Sequence, residues 1–329
     1  MDNYTRISQE EMQKADKILQ NISNYYYSKM VGQVQLGTSL LVTLMCNGHI
    51  LVESVPGLAK TTAAKIMTEA VDGTFSRVQC TPDLLPSDII GSQIFNYSTN
   101  KFETKLGPVC ANFLLLDEIN RSSAKTQSAM LEVMQERQVT IGGERFEMPE
   151  VFTVIATQNP IEQEGTYLLA EAQLDRFLIK ERLFYPNTNE EFEILNRIEQ
   201  DVFSSGQSVA SIEDIVFVQN LTKRVYIDDA IKQYIIKIID ATRKPAAYIG
   251  PQLAQYITLG SSTRGAIALM EVSKAIALLN GRDFVIPEDV KKMIYSVLRH
   301  RITLNYAAVA DNIISEKIIN QILGAIPTP

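Results

Sequence analysis

The run Phe113-Leu114-Leu115-Leu116 ends in two adjacent carboxylates, Asp117 and Glu118. Well upstream, a second apolar run, His49-Ile50-Leu51-Val52-Glu53, leads into Ser54-Val55-Pro56-Gly57-Leu58-Ala59-Lys60-Thr61. Short apolar runs bounded by turn residues read as strands buried on both faces, as in a parallel sheet. Sheets of that kind bind ligands at their carboxyl ends. Two such strands, each ending in a turn rich in chemistry, constrain the chain to an α/β fold with a site at one end of the sheet.

In the upstream segment the strand is 49–53, the turn is 54–60, and Thr61-Thr62-Ala63-Ala64-Lys65-Ile66-Met67 begins a helix with small and apolar residues at helical spacing. That order gathers backbone N–H groups and a positive helix end at one spot, which suits a phosphate chain. Lys60 would reach the outer phosphates, and the Thr61 hydroxyl would hold Mg²⁺. The two fixed glycines of the usual phosphate loop fall on Ser54 and Ala59. Ala59 is expected to fit with a negative φ. Ser54 is the residue whose Cβ could crowd the phosphates or demand strained backbone.

Two carboxylates at a strand end can be ordinary solvated residues. After a phosphate-loop candidate they acquire separate tasks: Asp117 would orient Mg²⁺ through its water shell, and Glu118 would polarise the attacking water as general base. A third strand-like run, Val151-Phe152-Thr153-Val154-Ile155-Ala156, ends in Thr157-Gln158-Asn159-Pro160. The Asn159 amide can donate to a γ-phosphate or a water, although Asn-Pro alone commonly marks a turn.

With these motifs, and with Val31-Gly32-Gln33, Ala170-Glu171-Ala172-Gln173-Leu174-Asp175-Arg176-Phe177 and Gly260-Ser261-Ser262-Thr263-Arg264 in order along the chain, the sequence resembles the MoxR group of AAA+ ATPases from about residue 28 to 305. The resemblance implies a five-stranded parallel P-loop core followed by an all-α lid, with strands near 49–53, 75–80, 112–117, 151–156 and 177–183. It implies ATP and Mg²⁺ as ligands. Val31, Gly32 and Gln33 would lie near the adenine, Ser54 to Thr61 with Thr62 would form the Walker A loop, and Asp117 with Glu118 would form Walker B. Asn159 matches the first sensor, Arg264 the second sensor on the lid, and Arg176 an arginine finger offered to a neighbouring subunit. The resemblance further implies a hexameric homo-oligomer, a separate partner carrying a von Willebrand factor A domain, and a chaperone-like or cofactor-insertion role on a client protein. Two other readings stay open: a nucleotide-responsive binding module with little hydrolysis, and a motor subunit like that of magnesium chelatase.

The 329 residues exceed the usual single-domain size. They divide on the page into a helical segment 1–28, a core 29–186 and a helical lid 187–329, with the boundary at Tyr185-Pro186-Asn187-Thr188-Asn189. Ile231 to Ile239 has apolar residues three and four apart, one stripe of an amphipathic helix. Ala266 to Leu279 ends at Asn280-Gly281, and Pro287 opens another helix with Glu288 and Asp289 in its first turn. Two segments read as hairpins, Ser92–Tyr97 with Lys101–Lys105, and Gln138–Ile141 with Arg145–Met148 around Gly142-Gly143. By analogy they would line a pore or touch clients.

No apolar run reaches about eighteen residues, and no charged segment precedes an apolar one at the start, so a cytoplasmic chain without a membrane span is expected. Cys46, Cys80 and Cys110 lack paired spacing and read as buried thiols. His49 reads as structural. A net charge of −7 disfavours a surface devoted to nucleic acid. The basic residues Lys291-Lys292 and Arg299-His300-Arg301 are expected on the lid's last long helix.

Overall fold

In the computed structural model, which describes residues 6–55, 57–160, 165–199 and 206–329, five core strands form one sheet: β1 Ile50–Glu53, β2 Phe75–Gln79, β3 Phe113–Asp117, β4 Thr153–Gln158 and β5 Ile179–Arg182. Their order is β5-β1-β4-β3-β2. The β1/β4, β4/β3 and β3/β2 pairs are parallel. All five expected strands are present, each within two residues of the expected ends. β3 lies inside the sheet, and its three leucines are fully buried, which explains why the run has no polar alternation.

The helices before the lid include α1 Gln9–Lys29, α2 Val34–Met45, α3 Lys60–Glu69, α4 Ala124–Glu136 and α5 Thr188–Glu199, of which α2, α3 and α4 pack on the sheet. Phe152, Met130, Met134 and Phe177 join the β3 leucines in the core. His49 is part of this framework. One ring nitrogen accepts from the Val154 N–H (3.0 Å), and the other meets the Met134 carbonyl (3.2 Å). Burial above all, with the charge of Arg137, pushes its imidazole down to about 3, so it stays neutral.

Contacts divide the chain into two units, Gln20–Phe177 with Glu181–Val216, and Phe217–Pro329 with Leu178–Lys180 and the segment ending at Leu19. The expected boundary at 186/187 falls inside the first unit. The cause is α5, whose Arg197 donates to the carbonyls of Tyr27 and Ser28 (3.3 and 2.8 Å). The stretch 1–28, expected to stand as its own segment, contributes to both units through α1.

The second unit is built around α6 Asp229–Arg243, α7 Thr263–Leu279 and α8 Ser315–Ala325. α6 buries Ile231, Tyr234, Ile235, Ile238 and Ile239, the expected stripe. α7 stops at Asn280, and Gly281 takes the left-handed backbone (φ 69°) that only glycine adopts cheaply. One expectation fails here. The basic residues do not share a long helix, because the chain breaks at Met293 into Pro287–Lys292 and Ile294–Leu298. Arg299 pairs with Glu316 (3.1 Å), and Arg301 is buried with Leu178 and Val297 carbonyls as acceptors. Much of this positive charge is therefore spent inside the protein.

Both hairpins form, at 91–96 with 101–106 and at 138–141 with 144–147. Gly142 and Gly143 both have positive φ, as a two-residue turn of this kind requires. Of the cysteines only Cys80 is buried; Cys46 and Cys110 are half-exposed. Burial of Cys80, reinforced by the charge of Asp117, pushes its thiol up to about 12. Among the described residues no cluster of three His, Cys, Asp or Glu forms, and no helix is long and apolar enough to cross a membrane.

Candidate nucleotide site at the carboxyl ends of the sheet

α3 begins at Lys60, directly after the turn that follows β1. The turn is tied down at its root, where the Ser54 N–H donates to the Gln158 carbonyl (3.1 Å) and Lys60 Nζ donates to the Ser54 carbonyl (3.1 Å). Ser54 is buried, its hydroxyl donates to the Val55 carbonyl (2.9 Å), and its φ is not positive. Strain sits instead at Ala59, which caps α3 in the left-handed region (φ 54°). The expected backbone conformations are thus exchanged: Ala59 takes the positive φ, and Ser54 does not. The loop must turn back onto the helix axis at residue 59, and a Cβ there costs about 1–2 kcal/mol that glycine would not. Gly57 has φ 83° and open space around it.

A cavity of about 650 Å³ opens beside this turn. Val31, Gly57, Leu58, Ala59, Lys60, Thr61 and Thr62 line it. Gly32, Gln33, Ser54 and Val55 do not. Gln33 sends its amide to the Phe184 carbonyl (2.9 Å), and Gly32 packs so closely on Glu190 that a Cβ would clash. Pro56 lies outside the described residues. The remaining wall comes from residues that the sequence did not single out: Met30, Ile66, Ile194 and Ile198 supply an apolar slot, and Lys65 and Glu69 a charged end.

Asp117 ends β3 against this loop. Its Oδ2 accepts from Thr61 Oγ1 (3.3 Å) and from Arg77 Nη2 (2.6 Å), and its Oδ1 accepts from Thr157 Oγ1 (2.8 Å). Burial raises the Asp117 carboxyl, but these three donors and the charge of Arg77 outweigh it, so the net shift is downward and the group stays ionised. Glu118 follows with left-handed backbone (φ 57°), which turns its side chain away from that of Asp117. Its carboxylate meets Gln79 Nε2 (3.3 Å) and Arg121 Nε (3.2 Å). Its N–H donates to Thr157 Oγ1 (2.9 Å). Thr157, fully buried, therefore joins both acidic residues to the tip of β4. Sequence reading passed over it, and over Arg77 and Gln79, for want of any local pattern.

Asn159 is buried at the same tip, where its carbonyl accepts from Asn120 (3.3 Å). Both asparagines line a second cavity of about 410 Å³. Arg176 is half-buried and donates to the Leu131 carbonyl at 2.9 Å. That bond ties it to α4 and, among the described residues, not to the loop or the two carboxylates. Arg264 belongs to the second unit, exposed in the first turn of α7, with its N–H on the Ser262 cap.

Residues 49–179 match the ATPase family associated with various cellular activities (AAA), and residues 253–322 match the AAA lid domain. Over 300 residues the chain is 47% identical to Chaperone MoxR1 of Mycobacterium tuberculosis, covering 91% of this chain and 79% of that protein. The chain belongs to the MoxR family of AAA+ ATPases. It is also 42% identical to YeaC of Bacillus subtilis, over 91% of both proteins. A crystal structure of a proposed ATPase from Cytophaga hutchinsonii superposes with a TM-score of 0.92 at 44% identity, over 98% of each chain. The five-stranded core and helical lid are those of AAA ATPases, and with the family comes nucleotide binding.

Proposed function

We propose that this MoxR protein hydrolyses ATP with Mg²⁺ and uses the cycle to remodel, or to load a cofactor into, a client protein. The observation that carries the reading is the divergence of Asp117 and Glu118 at one strand tip, Asp117 toward Thr61 and Glu118 toward Gln79 and Arg121. The chemistry needs one carboxylate on the metal side of the γ-phosphate and one on the water side. The cavity volume falls in the usual range for a ligand of this size, about 300–1,000 Å³. Its apolar slot suits a base, and the helix start suits phosphates.

Thr61 and Asp117 form an all-oxygen pair, the donor type Mg²⁺ prefers, and they already meet at 3.3 Å. Thr61 and Asp117 would hold a divalent ion there, and the ion would supply positive charge to offset that of the phosphates. Lys60 would exchange the Ser54 carbonyl for a phosphate. Glu118 would accept the proton of the attacking water through Oε1, since Gln79 and Arg121 both hold its Oε2. Asn159 would orient that water or the γ-phosphate, and Arg264 would sense it from the lid. Arg176 would serve the neighbouring subunit of a hexameric ring; its guanidinium carries five donors, of which the Leu131 carbonyl takes one. A separate partner with a von Willebrand factor A domain would select the client, and the cytoplasm is the proposed setting.

One observation favours a second reading, a nucleotide-responsive module with little turnover: both carboxylates are held by arginines. Mg²⁺-dependent ATP turnover per mole of protein, measured across a wide range of protein concentration, separates the two. A specific rate that climbs with concentration supports a site completed between subunits. A rate at background throughout, with ATP bound, overturns the hydrolytic reading.

A further inference from the structure

The two oxygens of Asp117 are used differently. Oδ1 is given to Thr157, which holds β3 to β4. Oδ2 faces Thr61 and is also the atom that Arg77 grips at 2.6 Å. If Thr61 and Asp117 are the protein's share of a metal site, the guanidinium and the metal want the same oxygen.

Local structure explains why an arginine stands there. The residue at the end of β3 is buried among apolar strands, and an ionised carboxylate in that setting needs a compensating charge. β2 is the outer strand of the sheet, next to β3. Residues two apart on a strand face the same way, so Arg77 and Gln79 both point at the tip of β3, where Arg77 takes Asp117 and Gln79 takes Glu118. Nη2 of Arg77 also donates to Gln79 Oε1 (3.2 Å), which joins the two contacts. Asp117 is almost enclosed, with its side chain 10% exposed, whereas the Arg77 side chain is 48% exposed. The anion is fixed and the cation can swing into solvent.

We infer that Arg77 is a resident cation at Asp117 that competes with the divalent ion, lowering metal affinity while keeping the empty site neutral enough to accept nucleotide phosphates without metal. This rests on the proposed assignment of Thr61 and Asp117 to the metal. The consequence has two signs. Removing the charge of Arg77 strengthens nucleotide binding in magnesium, because nothing has to be displaced. It weakens binding without magnesium, because the phosphates then meet a bare carboxylate. A merely structural arginine would move both affinities the same way.

The test is the dissociation constant of a fluorescent ADP analogue, in excess magnesium and in excess EDTA, for the wild type, Arg77→Met and Arg77→Lys. ADP removes turnover from the readout, and methionine keeps the aliphatic stem. For a half-exposed pair the expected change in Arg77→Met is about five- to tenfold tighter binding in magnesium and a similar loss in EDTA. Arg77→Lys should shift both values in the same directions by less, since an ammonium keeps the charge without the fork. It also tests the inference if the methionine variant does not fold. Affinities that fall together in both buffers, or a ratio that stays at the wild-type value, overturn the competition and leave the ATPase reading standing. A wild-type protein that binds no nucleotide in either buffer overturns both.

Discussion

At the tips of β3 and β4 the chain specifies position through side chains, whereas in the turn before α3 it does so mainly through backbone. Asp117, Glu118 and Thr157 exchange bonds with one another, with Arg77, Gln79 and Arg121, and with Thr61. The turn has left-handed residues at Gly57 and Ala59 and is anchored by main-chain groups at Ser54 and Gln158. Catalytic carboxylates must be oriented to within a fraction of an ångström, and a bonded web does that. A phosphate cradle needs N–H groups pointing inward, and backbone dihedrals decide that. The two regions should therefore fail differently: the tips should lose turnover while keeping ligand, and the turn should trade stability and affinity.

The sharpest break is Glu118→Gln. The amide keeps size and hydrogen bonding to its neighbours but has no basic oxygen, so turnover should fall by at least about 10²-fold. ATP affinity, read in the same preparation by equilibrium binding, should stay near that of the wild type. If turnover is measurable in the wild type and unchanged in the variant, Glu118 is not the base.

Thr157→Val should come next. It is nearly isosteric but removes the donor to Asp117 and the acceptor for the Glu118 N–H. Leaving such groups unpaired costs about 1–3 kcal/mol, or several degrees in Tm for a domain of this size. Turnover should fall about tenfold, with nucleotide affinity changed much less, because the web orients Glu118 more than it contacts ligand. Thr157→Ser, which keeps the hydroxyl, should restore most of the turnover. A valine variant with wild-type turnover would show that the web is structural only.

The contrast also explains what could be read in advance. The run Phe113 to Glu118 was legible because burial on both faces leaves an unbroken apolar signature and the carboxylates end it. α6 and the Gly142-Gly143 hairpin were legible for equally local reasons, a helical stripe and a turn that only glycine pairs favour. Thr157, Arg77 and Gln79 were not, since their roles exist only once β2, β3 and β4 lie side by side. The apolar slot could not be read either: Met30 and Ile194 lie far apart in sequence, and nothing in either neighbourhood announces the other. The basic residues near 299–301 misled because charge in a sequence carries no sign of burial, and Arg301 spends its donors on buried carbonyls.

The smallest effects test the turn itself, through a pair of substitutions that a sequence template would treat alike. Both Ser54 and Ala59 stand where the usual loop has glycine. At residue 59 the backbone is left-handed, so Ala59→Gly relieves about 1–2 kcal/mol of folded-state strain. The greater freedom of glycine in the unfolded chain offsets about 0.5–1 kcal/mol of that. The balance is a gain of up to about 1.5 kcal/mol, a rise of a few degrees in Tm. At residue 54 there is no such strain to relieve, and the hydroxyl is buried with a partner. Ser54→Gly therefore loses a bond and adds unfolded-state entropy, and Tm should fall by a similar amount. Thermal unfolding of the two variants beside the wild type gives opposite signs if dihedral angles rather than residue identities specify this loop. Two shifts of the same sign would mean that the left-handed turn at Ala59 is not what the folded protein keeps.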